Sequence, residues 1–388
     1  VTTRPFQLTD TPAVNRLHAD VWWHERSPEG WRWLADNPAR QTNQAPLGWV
    51  IADAEDRASA FVGNFVQRFW IGDRPILGAS GFSIIVPPEQ RGAAPRLVRT
   101  LMRQPGCGFR YTLNANPKAA RLYPRLGLSP CPEVGHDLKL SWIINPVTCA
   151  WGRFLRGAVH RSPGLAERLG ERLMSSQATR AVTRTLHDMP LPAGVGWLSD
   201  LSDSSAFARF WDELRAQGRL IADRSPATLR WRIADPELTS PPLLMSQEQG
   251  DCIQGYAMAV MSKGSPIEPP ALEIIDLIAL DRTPQAIPAL IRSLLDLAPR
   301  LGAARVRLQV VNDALLTALG SLTRGARREG GWGHCHAHFD TEFADAGREW
   351  RPTPFDGDYA FCLRPMPTGA HVASGQPSHG ERQTARAA

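Results

Sequence analysis

The feature that most restricts what this chain can fold into is that it repeats itself. "RWLADNP" at 32–38 is echoed by "RWRIADP" at 230–236, each with a tryptophan five positions before a proline. An apolar strand pattern with polar turn residues follows in both, "PLGWVIADAEDRASAFVGNFV" (46–66) and "PPLLMSQEQGDCIQGYAMAV" (241–260). Next comes a β-branched run, "ASGFSIIV" (79–86) and "LEIIDLIAL" (272–280), the pattern of a strand buried on both faces. A helix, a strand and a second helix follow, with "RYTLNANPKAARLYPRLG" (110–127) matching "VRLQVVNDALLTALG" (306–320). A repeat this long, with its elements in one order, predicts two copies of one domain. The length of 388 residues also favours two cores over one. Each copy is expected to run strand, helix, several antiparallel strands, strand–helix–strand–helix and closing strands. That is an α/β (α+β) fold with a mixed, mostly antiparallel central sheet flanked by helices.

The copies are placed at 1–145 and 193–364. Between them, 146–192 carries apolar residues at helical spacing interleaved with arginines, broken at Ser162-Pro163-Gly164. This predicts a connector of two amphipathic helices with a basic polar face. Peripheral membrane binding is the sharper reading of such a pattern, but bulky interfacial anchors are few. The last stretch, 365–388, is rich in Gly, Ser, Pro and Gln and is expected to be disordered.

Composition narrows the function classes. No window approaches the run of apolar residues that spans a bilayer. "VTTRPFQLTD" lacks a secretory pattern and reads as the start of a first strand, so a cytoplasmic location is expected. The six cysteines (107, 131, 149, 252, 335 and 362) are scattered without a CxxC pair, which suits reduced thiols. The net charge of +6 comes mostly from arginine. There is no basic stripe interleaved with aromatics, so no nucleic-acid partner is expected; an anionic small ligand or a GC-rich genome accounts for the arginines.

Two local patterns carry side chains capable of chemistry. In "NANPKAARLYPRLGL" (114–128), Tyr123 stands near the end of a short helix in a chain with four tyrosines and thirteen tryptophans. Packing and proton transfer are the alternatives for it. In "HCHAHF" (334–339), alternation places His334, His336 and His338 on one strand face. The first and third would lie about 13 Å apart, too far to share one ion. A solvated strand face is therefore preferred, and no metal is assigned.

"IIVPPEQRGAAPRLVRTLM" (84–102) and "NANPKAARLYPRLGL" together resemble the GNAT superfamily (Gcn5-related N-acetyltransferases), here in tandem and of bacterial type. The resemblance implies an N-acyltransferase that moves an acyl group, commonly acetyl, from acyl-CoA to a primary amine by direct attack in a ternary complex. It implies acetyl-CoA or another acyl-CoA as co-substrate and a small-molecule or peptide amine as acceptor; a homodimer is compatible with it. Val86, Arg91, Gly92, Ala93 and Ala94 would hold the pyrophosphate, with Asn114 at the pantetheine and Asn116 either there or capping the helix. The physics agrees, since a helix N-terminus offers free N–H groups to an anion and small residues permit close approach. The loop departs from the family pattern at Arg96, and Pro95 lacks an N–H. By the same resemblance Tyr123 would protonate the departing thiolate.

The general base is not readable, because "GASGFSIIV" has no carboxylate. Glu25, Glu29 and His24, in "WWHERSPEGW" (22–31), are the candidates on the acceptor side, although Ser27-Pro28-Glu29 also suits a capped helix start. Trp22, Trp23, Trp31 and Trp33 would wall an acceptor pocket or fill a core. No chemistry attaches to Asp356 or Asp358. The second copy has Leu316 at the position matching Tyr123 and Asp281-Arg282-Thr283-Pro284 in place of the small-residue loop. It is expected to be a degenerate partner that shapes the acceptor site or a dimer surface. The alternative reading is a wholly degenerate, ligand- or partner-binding protein, and a longer-chain or aminoacyl donor is a third.

Overall fold

The computed structural model describes residues 2–21, 23–90, 92–133, 135–159, 190–263, 268–330 and 333–363. The first half runs β1 (Thr2–Pro5), α1 (Thr11–Asp20), α2 (Pro28–Ala35), β2 (Gly48–Ala52), β3 (Ala58–Ile71) and β4 (Arg74–Ile85). It continues with α3 (Ala93–Met102), β5 (Phe109–Ala115), α4 (Pro117–Ala120), β6 (Ser129–Pro130), β7 (Lys139–Ile143) and α5 (Pro146–Val159). The second half repeats this order as β8 (Val195–Trp197), α6 (Ala206–Ala216), β9 (Leu220–Ala222), α7 (Pro226–Ile233), β10 (Leu243–Gln249) and β11 (Cys252–Ser262). Then come β12 (Ala271–Ala279), α8 (Ala286–Leu297), β13 (Arg305–Leu308), α9 (Asp313–Leu319), β14 (Arg327–Glu329), β15 (His334–Phe339), α10 (Ala344–Glu349) and α11 (Tyr359–Cys362). The repeated order expected from the sequence is present. Of the connector, α5 is described, whereas 160–189 and the stretch 365–388 lie outside the described residues.

The strands form two mixed sheets, ordered β1-β2-β3-β4-β5-β15-β6 and β14-β7-β13-β12-β11-β10-β8, with β9 pairing the far end of β3. Each sheet takes one internal strand from the other half. β7 lies between β13 and β14, pairing Trp142 with Val306 and Leu140 with Leu308. Reciprocally, β15 lies between β5 and β6, pairing Ala337 with Tyr111 and Phe339 with Phe109. The sequence repeat and the hydrogen bonding therefore divide the chain differently. A strand goes wherever its register and burial are matched, and its own residues do not name its neighbour.

This exchange corrects the expectation for "HCHAHF". The segment is an internal strand, and a register shift between His334 and His336 breaks the simple alternation. His336 is buried against the Tyr123 ring, with centroids 5.6 Å apart, while Nδ1 of the half-buried His338 bonds the carbonyl of Gly127.

Helices α2 and α7 begin alike. Ser27 accepts from the N–H of Gly30 and Ser225 from that of Thr228, with prolines 28 and 226 in the first turn. Both pack inward, so the repeat-related Trp33 and Trp231 meet where the halves join. Among the described residues no helix is long and apolar enough to cross a membrane.

Candidate active site

β4 and β5 pair in parallel only between Gly78–Ser80 and Phe109–Tyr111. Beyond that, residues 81–85 and 112–115 run on without pairing each other, and the sheet opens as a V. A bulge contributes to the divergence. Pairing of β4 with β3 slips between Gly63↔Phe82 and Phe61↔Ile85, and Ser83 adopts φ +49. A non-glycine residue in that region is strained by about 1–3 kcal/mol, which only a well-packed surround maintains. Gly63 is part of the surround, since a Cβ there would collide with the Phe82 ring.

The V opens into a cavity of about 660 Å³. One wall is Gly81 to Ile84, Val86 and Ala94; another is Thr112, Asn114 to Asn116, Leu122 and Tyr123. The second sheet supplies Lys139, Arg307 and Gln309, and the closing segment supplies Asp358, Tyr359, Phe361 and Cys362. Both halves therefore build one site, and the exchanged β7 brings Lys139 to it. Burial, helped by the neighbouring Arg307, brings the Lys139 ammonium down to about 8.

The phosphate-side expectations divide as follows. α3 forms because Ala93, Leu97 and Leu101 pack on Trp49, Ile51, Ala60 and Val62, while the buried Val98 packs with Ala115, Tyr123 and Leu128. Its N-cap is Gly92 at φ +94, a left-handed conformation natural to glycine. Ala94 and Val86 line the cavity, whereas Ala93 is buried in the core beneath. Arg91 lies outside the described residues.

Asn116 lines the cavity but is committed to capping: its side chain accepts from the N–H of Ala119 at 2.8 Å. Such a cap is worth about 1 kcal/mol and fixes the turn that carries Tyr123. Tyr123 opens the 3-10 turn that follows and is 3% exposed. Its hydroxyl hydrogen-bonds Thr112, and burial, then the nearby Asp358, raise its pKa well above the usual tyrosine value. It remains a phenol at any ordinary pH.

Glu25 and Glu29, the sequence candidates for the base, are both exposed and neither lines the cavity. Glu29 pairs with Arg32 one helical turn on. The local motif there is the helix start, with Ser27 as its cap. His24 and Trp23 do line the cavity, and His24 Nε2 is 3.1 Å from Glu237. Trp31 and Trp33 are core residues, and Trp22 lies outside the described residues.

Two carboxylates line the cavity among the described residues: Glu268, held by Arg156 and Arg305, and Asp358, to which sequence reasoning attached no chemistry. Asp358 is 4% exposed, and burial lifts it to about 6, against the opposing hydrogen bond from Cys362. The segment bearing it is anchored through Asp356, whose oxygens take Arg224 Nη2 at 2.7 Å and Trp350 Nε1 at 3.0 Å. Tyr111 also donates to the Asp356 carbonyl. The acidic "FDGD" of the closing stretch was the visible signal, but its target was not.

The second sheet has a related opening, since β12 pairs β13 only over Ala271–Ile274. There the closing segment covers the unpaired half of β12: Thr353 donates to Asp276 at 2.7 Å, and Phe355 packs with Ile275 and Ile278. Asp281, in the turn before α8, is held by Arg219 and Arg351. Counting back from Gly127 and Gly320 pairs Tyr123 with Leu316. Counting from the capping Asn116 and Asn312 pairs it with Leu319, and either way the counterpart lacks a hydroxyl.

No family model matches the sequence, and no curated protein matches it at the sequence level. Solved structures do match. A GCN5-related N-acetyltransferase from Anabaena variabilis ATCC 29413 superposes with TM-score 0.51 at 13% identity, covering 87% of this chain and 72% of that one. One from Kribbella flavida gives TM-score 0.47 at 16% identity, covering 87% and 71%. A probable N-acyltransferase from Enterococcus faecalis V583 gives 0.49 at 11% identity, covering 87% and 72%. The first of these likenesses shows the fold and nothing finer. This chain is built on the GCN5-related N-acetyltransferase fold.

Proposed function

We propose that the chain is an acyl-CoA-dependent N-acyltransferase whose single working site is the β4–β5 cleft. The observation that carries this reading is one cavity lined both by the first turn of α3 and by a buried, permanently protonated phenol. The free amides and positive end of α3 suit a pyrophosphate, and Ala94 leaves room for it. The unpaired backbone of β4 beyond Ser80 can accept a pantetheine arm as an added strand. Tyr123 gives its proton to the departing thiolate. Its high pKa does not forbid this, because desolvation in the same cavity would raise the departing thiol too. The acyl group is read as acetyl and the acceptor as a primary amine, small-molecule or peptide, in a cytoplasmic protein of bacterial type.

Calorimetric titration with acetyl-CoA tests this reading. The wild type should bind, and Ala94→Asp should bind about tenfold or more weakly, because a carboxylate at the α3 N-terminus repels phosphate. No heat at millimolar acetyl-CoA would end the proposal. Pro95, which removes one amide from the first turn of α3, favours a second reading as a non-catalytic binding protein. Under that reading millimolar acetyl-CoA gives no heat, and the cavity serves another ligand or partner.

A further inference from the structure

Three cavity-lining side chains form a short hydrogen-bonded chain. Asn114 hydrogen-bonds the Cys362 thiol, and that thiol donates to Asp358 Oδ2 at 3.4 Å. The chain ends in two buried acceptors, Asn114 Oδ1 and Asp358 Oδ1, neither of which has a hydrogen-bond partner among the described residues. Leaving a buried oxygen unpaired costs about 1–3 kcal/mol, and more for a carboxylate, so two such atoms at one cavity wall call for a ligand. Acceptors alone call for a ligand rich in donors. An ammonium group has three N–H donors and a positive charge that suits a carboxylate.

We propose that Asn114 and Asp358 receive the primary ammonium group of the acceptor, and that Asp358 takes its proton. This rests on the acyltransferase reading and supplies the base that reading lacks. The groups facing Asp358 are Arg232, which favours its ionised form; Tyr111, Tyr123 and Cys335, held protonated by burial; and Cys362, whose thiol proton is held by its bond to Asp358. No group in this set competes for the proton. In the reaction one ammonium proton passes to Asp358, and the freed amine forms the C–N bond at the thioester carbonyl. The C–S bond then breaks, and Tyr123 protonates the sulfur. The second N–H proton, lost as the tetrahedral intermediate collapses, restores Tyr123, and Asp358 releases its proton to water. The net products are amide, free thiol and one proton. Asn114 is thereby assigned to the acceptor and not to the pantetheine.

The test uses the full chain with acetyl-CoA and two probes, n-butylamine and hydroxylamine, following thiol release. At about pH 7.5 butylamine is an ammonium ion that must lose a proton before attack. Hydroxylamine is already neutral. Asp358→Asn should lower kcat/KM for butylamine by about 100-fold or more. It should leave acetyl-CoA affinity and the hydroxylamine rate within about threefold, well under the tenfold that 1.4 kcal/mol represents. Asn114→Ala should raise the butylamine KM about tenfold without changing acetyl-CoA affinity. Retained acetyl-CoA affinity in each variant certifies the fold. An unaffected butylamine rate in Asp358→Asn overturns the proposal and leaves acyl transfer standing, as does an equal loss with both probes. Wild-type protein that binds acetyl-CoA yet releases thiol with neither probe overturns acyl transfer itself.

Discussion

Trp33 and Trp231 stack face to face, with ring centroids 4.3 Å apart and planes within 6°. Each indole N–H donates to the other's carbonyl: Trp33 Nε1 to Trp231 at 2.8 Å, and Trp231 Nε1 to Trp33 at 3.0 Å. These are the tryptophans by which the two repeats were matched in the sequence. When residue i contacts j exactly as j contacts i, the contact lies on a two-fold relation, here an internal one between the halves of one chain.

Trp231→Ala should therefore destabilise the whole protein, not one half. The expected loss is about 3–5 kcal/mol, combining lost burial with a cavity. Trp33→Ala should cost a similar amount, and the double variant less than the two added together, because both remove one shared contact. Denaturant titration reads all three. Additive losses would show that the stack is not an energetic unit.

The exchange of β7 and β15 makes each half incomplete. Expressed alone, 1–159 would lack β15 between β5 and β6, and 190–363 would lack β7 between β13 and β14. Each would expose unpaired strand edges and should aggregate or remain partly folded. Co-expression should restore a soluble complex, seen by size-exclusion chromatography. A folded, monomeric 1–159 would contradict the exchange.

Tyr123→Phe keeps the ring against His336 and removes only the hydroxyl. Turnover should fall about 100-fold, at the low end of general-acid effects, with acetyl-CoA affinity changed less than about threefold. Unchanged turnover would remove Tyr123 from the mechanism and return it to packing.

Two carboxylates should shape stability against pH in opposite senses. The folded pKa of Asp358 is raised to about 6, so the stability its neutral form contributes is present below about pH 4 and lost as pH rises through 6. Glu237 is opposite: burial pushes it up, but hydrogen bonds from His24 and Ser27 outweigh that and bring it to about 2. Its contribution is present above about pH 4.5 and lost as pH falls toward 2. Asp358→Asn should thus be more stable than the wild type at pH 7, by up to about 3 kcal/mol, with the gap closing near pH 4. Thermal melts across that range decide it; a gap that does not change with pH would place the strain elsewhere.

What the sequence revealed follows how local each feature is. The duplicated order, the α3 start at Gly92-Ala93-Ala94 and the Asn116-to-Tyr123 turn are each contained in a short stretch, and all are present. The destination of Lys139–Ile143 and His334–Phe339 was not legible, because an alternating strand reads the same in either sheet. Asp358 was missed for a related reason. It reaches the cavity only because the closing segment, tied down through Asp356 to Arg224, crosses back to the first sheet. Glu25 and Glu29 drew attention as nearby carboxylates, yet theirs is a solvated helix start. A base carried by the opposite repeat leaves no local signature beside its acid.

The most direct test of a single working site is the structure of the full chain with CoA. The expected result is CoA between β4 and β5, its pyrophosphate at the first turn of α3 and its sulfur within about 3–4 Å of the Tyr123 hydroxyl, close to hydrogen-bond reach. CoA seated at the second sheet, or in the first cleft with its sulfur turned away from Tyr123, would contradict it.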